Sequence, residues 1–307
     1  MQAEPTGTGM KADVGTDVST TVFEQYRELM FGISYRMLGS VADAEDTIQE
    51  TWLRWNRIDR DSVVDPRGYL VRAVTRTSID QLRRAKARRE QYIGSWLPEP
   101  LLTGPDSAES AARADSVSMA ILVMLERLSP LERAVFVLNE VFGFSFPEVA
   151  AVVDRTEAAV RQLGRRARAN VQGRRRFSAG GKETKQITER FLAACLGGDL
   201  GGLMELLAPD VTMCVDSNGR SEGGPRQPLH GARAVAEYFA WVADRFPAGI
   251  RSRYVELNGS GSGLFIVDDE VYAAFVLDFA PEPADRVEAI WIIREENKLS
   301  RIPVPPA

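Results

Sequence analysis

Three helix starts are written into the stretch from Ser129 to Thr156, and they leave little choice of local fold. Ser129 and Pro130 supply a cap and a first-turn proline for a helix over 131–142, which Gly143 ends. Ser145, with Glu148 three residues on, caps a short helix over 145–153. Asp154 and Arg155 make a turn, and Thr156 caps a third helix, EAAVRQLGRRARANV. Ala150, Val153, Val160 and Leu163 are the inward positions of the last two helices. This is the spacing of a helix-turn-helix, whose last helix can enter a DNA major groove. Arg155, Thr156, Glu157, Arg161, Arg165 and Arg168 would face the DNA there. Arginine suits guanine and phosphate, and glutamate suits cytosine. Any three-helix bundle can share this spacing, so the decision rests on the rest of the chain.

Upstream, an acidic helix precedes a basic one. Over 43–55 (DAEDTIQETWLRW), Ala44, Ile48, Trp52 and Trp55 fall on one face at helical spacing. Asp43, Asp46, Gln49, Glu50 and Leu53 lie off it, an acidic surface with one leucine in it, and Ser40 can cap the helix. Pro66 opens the basic helix, expected over 66–91. Tyr69, Leu70, Ala73, Val74, Thr77, Ile79 and Leu82 supply its apolar and aromatic positions; Arg72, Arg76, Arg83, Arg84 and Arg88 supply its charge. Arginines there can hold phosphates. Tyr69 can stack on an unpaired base, worth about 1–3 kcal/mol per base, or it can be a core residue. Before the acidic helix, 22–38 reads as one helix with Phe23, Tyr26, Met30, Ile33 and Met37 inward, stopped by Gly39.

The net charge of −5 hides an asymmetry. Residues 1–180 hold 25 Lys and Arg against 24 Asp and Glu, whereas residues 181–307 hold 13 against 19. The positive charge of the first part is clustered at the ends of two patterned helices, the usual footprint of phosphate binding. Two cysteines give no disulfide framework, which suits a reducing cytoplasm. A single histidine excludes a His-rich metal site, and no apolar run has the length of a membrane span. No cofactor is expected. Residues 1–21 read as a disordered leader.

The helical pattern breaks at 92–106 (YIGSWLPEPLLTGPD), where prolines forbid a regular helix. Trp96, Leu97, Leu101 and Leu102 are too apolar for a free linker, so the segment should dock on something. Residues 107–128 read as helical again. After the basic linker at 173–182 the composition changes. Helices are expected over 183–197, 200–207 and 232–246, and strands over 210–216, 252–258, 263–267, 270–279 and 286–294. Helices followed by long antiparallel strands give an α+β plan, a curved sheet wrapped round a helix.

These blocks carry a family resemblance. VADAEDTIQETWLRW, then DPRGYLVRAVTRTSIDQLRRAKARRE, then ERLSPLERAVFVLNEVFGFSFPEVAAVVDRTEAAVRQLGRRARANV resemble a bacterial sigma factor of the extracytoplasmic-function group over about residues 22–172. FLAACLGGDLGGLMELLAPDVTM and LHGARAVAEYF resemble a SnoaL-like domain of the cone-shaped α+β barrel class. The implied organisation is a leader (1–21), an all-α sigma domain 2 (22–92), a linker (93–112), an all-α sigma domain 4 with the helix-turn-helix (113–172), a linker (173–183) and the SnoaL-like domain (184–307).

The resemblance implies a partner for each block. Asp46, Gln49, Glu50 and Leu53 would dock on the β′ clamp helices of core RNA polymerase, with the β flap as a further contact. The basic helix would hold and open the minus-ten element of promoter DNA, and the last helix would read the minus-thirty-five element. Sigma factors with this extension often carry the linker motif that stands here as Trp96, Leu97, Pro98, Glu99, Pro100 and Leu101, and the extension is implied to tune sigma activity in cis. Their Asp-Gly-Gly-Gly-Lys reads here as 216–220, DSNGR. Their usual Asn-Pro-Asp-Lys near the C-terminus is missing, replaced here by RIPVP at 301–305.

SnoaL-like barrels include enzymes that use a carboxylate or histidine base in an apolar pocket. Asp216 and His230 are the candidates, with Trp241, Tyr254, Phe275 and Trp291 as walls for a small ligand. Each has a plainer reading as a loop tie, a turn stabiliser or core, and a protein-contacting regulator is preferred to catalysis.

Overall fold

A computed structural model describes residues 14–59, 62–89, 92, 94–103, 118–171, 182–219, 224–280 and 285–304. The expected leader up to residue 13, the start of the helix expected at 107 and most of the basic linker lie outside them. The first helix, α1 (Val14–Gln25), begins inside the stretch read as a leader. It is followed by α2 (Arg27–Leu38), so the one helix expected over 22–38 is two. Tyr26, at φ −105 and ψ 4, makes the break. Gly39 ends α2 at φ +68, a left-handed conformation that glycine adopts without steric cost. A side chain there would also run into Trp96, whose Cη2 lies 2.9 Å from where a Cβ would stand.

Helix α3 (Val41–Trp55) buries Ala44, Thr47, Ile48, Thr51 and Trp55, and α4 (Pro66–Arg89) packs on both α2 and α3. The second helical set is α5 (Met119–Leu125), α6 (Pro130–Phe136), α7 (Phe146–Val153) and α8 (Glu157–Val171). Ser129 and Ser145 both cap as expected, each in a reciprocal box with a glutamate, Glu132 and Glu148. A π turn over Val137–Val141 carries α6 into the loop, a widening that the sequence reading did not anticipate.

The two helical sets share one core. Phe23, Met30, Ile33 and Trp55 run through Leu70 and Val74 into Val135, Leu138, Val149 and Val160 without a gap. Arg133, only 2% exposed, ties the sets together. Its Nη1 donates to the Met37 carbonyl at the C-terminal end of α2 (2.6 Å) and to Glu126 (2.7 Å).

The rest of the chain runs α9 (Lys182–Gly197), α10 (Leu200–Leu206), β1 (Leu207–Asp216), β2 (Leu229–His230), α11 (Ala232–Ala243), β3 (Arg251–Leu257), β4 (Ser260–Val267), β5 (Glu270–Phe279), β6 (Val287–Ile293) and α12 (Glu296–Leu299). Strands β3 to β6 form the expected antiparallel meander. The sheet is mixed, because β1 pairs in parallel with β6, in the order β2-β1-β6-β5-β4-β3.

Both faces of this sheet are covered. Phe275, Leu277, Ile290 and Ile292 meet Phe191 of α9 and Phe239 of α11. Ala274, Val276, Trp291 and Ile293 meet Leu97 of the linker and Met119 and Ala120 of α5. Two-sided burial explains why β5 and β6 read as nearly unbroken apolar runs. It also explains the small residues of β4. A Cβ on Gly263 would stand 2.3 Å from Leu192 Cδ1, so glycine lets α9 lie flat on the sheet.

Candidate nucleic-acid interface and linker site

The two sides of α3 differ in kind. Asp46, Gln49, Glu50 and Leu53 are all exposed, Leu53 by 50%, while the opposite side is core. Glu50 pairs with Arg54 along the helix; Asp46 has no ion-pair partner among the described residues. An apolar side chain held in solvent between carboxylates suits a basic protein surface with an apolar notch.

On α4, Arg72, Arg83 and Arg84 are exposed. Tyr69 is half-buried, its ring tilted against Trp55 at 5.6 Å, so part of it serves the core. Arg76 turns towards the helix-turn-helix, where its Nε donates to the Val152 carbonyl of α7 (3.2 Å). Arg67, one turn before Arg72, lies 4.5 Å over the Phe144 ring. The side chain of Arg88 lies outside the described residues.

In the helix-turn-helix, Asp154 takes a left-handed φ of 55° to turn the chain, and Thr156 Oγ1 accepts from the Ala159 N–H (3.3 Å). Arg155 and Thr156, just before α8, and Glu157, Arg161 and Arg165 on it are all exposed. Glu157 and Arg161 pair with each other at 2.6 Å, and Arg161 also covers the Phe146 ring at 4.6 Å. Arg168 is drawn to Glu140 at 2.6 Å. Arg166, equally exposed, belongs with this set; the arginine run of the sequence contained it.

The linker residues Trp96 to Leu101 are wedged between the helices and the sheet. Leu97, Pro98, Glu99 and Pro100 are buried. Glu99 reaches the N-terminus of α3: its Oε2 accepts from the N–H of Val41 (2.8 Å) and Ala42 (3.4 Å) and from Ser40 Oγ (3.1 Å). Burial pushes the Glu99 carboxyl above its ordinary pKa, and these donors, with Arg301 3.9 Å away, hold it down. The Glu99 N–H donates to the Gly39 carbonyl (2.8 Å), and the Tyr35 hydroxyl donates to the Glu99 carbonyl (2.8 Å).

The other side of the linker is gripped by the C-terminal domain. Asp216 Oδ2 accepts from the Leu97 N–H (2.8 Å) and pairs with Lys298 (2.7 Å), while Oδ1 accepts from the Tyr92 hydroxyl. Lys298 also donates to the Leu97 carbonyl (2.6 Å) and sits 4.3 Å over the Trp96 ring. Asn258 exchanges hydrogen bonds with Leu101 and donates to the Tyr35 hydroxyl (2.8 Å), so it touches linker and helices at once. The tail's contact with the linker is made chiefly by Lys298, in Glu295-Glu296-Asn297-Lys298. Lys298 lies on α12, a four-residue helix too short to give a periodic signal.

The candidate pocket residues do not converge. Asp216 and Trp291 lie on the linker side of the sheet, where Trp291 Nε1 donates to Asp278 (2.6 Å). Tyr254 lies under Lys185 of α9, 5.3 Å from its ring. His230 is exposed at the sheet edge beside Thr212 (3.2 Å), and Trp241 is 45% exposed on α11. Phe275 is in the helix-side core.

Two all-α units with an exposed acidic helix face, a basic helix and a helix-turn-helix define a sigma-70-type protein. Residues 22–88 match the family described as Sigma-70 region 2, and residues 118–171 that described as Sigma-70, region 4. The chain is 40% identical over 293 residues to the ECF RNA polymerase sigma factor SigJ of Mycobacterium tuberculosis, covering 92% of this chain and 93% of that one. It is 31% identical to SigG, another ECF RNA polymerase sigma factor of that organism, over 92% of this chain and 82% of that one. Its fold matches the crystal structure of the M. tuberculosis extracytoplasmic function sigma factor SigJ, with a TM-score of 0.74 at 33% identity over 93% of this chain and all of that chain. The chain belongs to the extracytoplasmic-function RNA polymerase sigma factors.

Proposed function

We propose that this chain binds bacterial core RNA polymerase and directs it to a set of promoters, under control of its own C-terminal domain. The face of Asp46, Gln49, Glu50 and Leu53 docks on the β′ clamp helices, and the region-4 domain reaches the β flap. Tyr69, Arg72, Arg76, Arg83, Arg84 and Arg88 serve the minus-ten element; Arg155, Thr156, Glu157, Arg161, Arg165 and Arg168 serve the minus-thirty-five element. The working units are 22–92, 113–172 and 184–307, joined by 93–112 and 173–183. Such work is done in the cytoplasm, and no helix among the described residues is long and apolar enough to cross a membrane. We assign the C-terminal domain no catalytic step, since of its two candidate bases Asp216 holds the linker and His230 stands at the exposed sheet edge.

The observation that carries the control is Glu99. It caps the polymerase-facing helix from within a linker that Asp216 and Lys298 hold on the other side. The test is transcription in vitro with core polymerase on promoters selected from genomic fragments. The full chain is expected to give promoter-dependent transcripts. A D46K/E50K variant is expected to lose co-elution with core at unchanged thermal stability. A K298A variant is expected to keep co-elution while its transcript yield changes. No transcript and no co-elution from the wild-type chain would overturn the reading.

A further inference from the structure

We infer that the C-terminal domain holds a binding site for a small organic carboxylate, built around Arg294 on the helix-covered side of the sheet. Ile290 and Ile292 of β6 point to that side, and by strand alternation Arg294 continues their row. Its guanidinium meets Tyr272 in two ways. Nη2 donates to the hydroxyl at 2.6 Å, and Cζ lies 4.5 Å from the ring centroid. Nε is buried and hydrogen-bonded to nothing. Residues 181–307 hold 19 carboxylate side chains, yet none pairs with Arg294 among the described residues. The carboxylate next in sequence, Glu295, is turned to the α12 N-terminus, where its Oε2 accepts from the Lys298 N–H (3.1 Å).

A half-buried cation without a counter-charge is costly, and a bound carboxylate would supply the missing charge. The surroundings define that ligand. Tyr238 of α11 lies within the field of Arg294: burial pushes its hydroxyl pKa up, and the arginine pulls it back. Phe239 stands 5.5 Å from the Tyr238 ring and Trp241 6.4 Å from it, the latter exposed. A planar guanidinium beside the Tyr272 hydroxyl presents paired donors that match the two oxygens of a carboxylate. The aromatic wall asks for an apolar or aromatic body on the acid. The Arg294 N–H also donates to the Asp216 carbonyl (2.7 Å), so the site adjoins the strand end whose carboxylate grips the linker from the opposite face.

The inference does not depend on polymerase binding, and calorimetry on the full chain tests it directly. Benzoate, phenylacetate and hexanoate are titrated, with benzyl alcohol and inorganic phosphate as controls. At least one of the three acids is expected to bind saturably and to raise the thermal midpoint, and neither control to do so. R294Q is expected to weaken that acid by at least tenfold, and Y272F by a smaller factor with the charge intact. Y272F keeps the test open if R294Q does not fold. Arginine-independent binding, equal binding of phosphate, or no binding by any of the three acids up to solubility would overturn the inference.

Discussion

Single side chains hold the joints of this molecule. Glu99 gives the N-terminus of α3 an acceptor that no residue of α3 itself provides at that depth. Glu99→Ala leaves two backbone N–H groups without it and is expected to lower unfolding stability by about 1–3 kcal/mol, read by denaturant titration. Arg133→Ala removes the cation between Met37 and Glu126 and leaves the Met37 carbonyl without that donor; a loss of about 1–3 kcal/mol is expected by the same titration. Leu53→Asp, on the exposed side of α3, is expected to leave stability within about 0.5 kcal/mol and to abolish co-elution with core polymerase, which separates a contact residue from a folding residue.

At the scale of elements, the helical part was legible because its signals are local. Caps at Ser129, Ser145 and Thr156 and the exposed row Asp46, Gln49, Glu50, Leu53 needed only spacing. Lys298 and Asn258 were illegible because their roles come from partners far along the chain, at Asp216 and Tyr35. Asp216 was read as a candidate base because a lone strand-end aspartate gives no hint that a linker will cover it. The break at Tyr26 was missed for a related reason: apolar residues continue on both sides of it. The packing of α9 on β4 gives a sharp prediction. Gly263→Ala must push Leu192 aside, and a loss of about 1–3 kcal/mol is expected by thermal unfolding.

For the whole molecule, the interface between sheet and linker responds to pH. Burial pushes the Asp278 carboxyl up to about 7, so the folded chain keeps a proton that the unfolded chain releases near the ordinary carboxylate value. The stability it contributes is full below about pH 4 and is lost as pH rises to about 7, at a slope approaching 1.4 kcal/mol per pH unit in that window. Asp278→Asn is expected to flatten the fall between pH 5 and 7 in denaturant titrations. The shared core of the two helical units has its own consequence. Arg76 against Val152 and Arg67 over Phe144 hold α4 beside the helix-turn-helix, whereas reading two separated promoter elements, as proposed, requires them spread. On the proposed function the free chain is a folded ruler that has to open before use. Each ~1.4 kcal/mol that closure is worth weakens apparent affinity tenfold, so stiffening this seam at Arg67 and Phe144 would silence the factor without touching any residue proposed to meet polymerase or DNA.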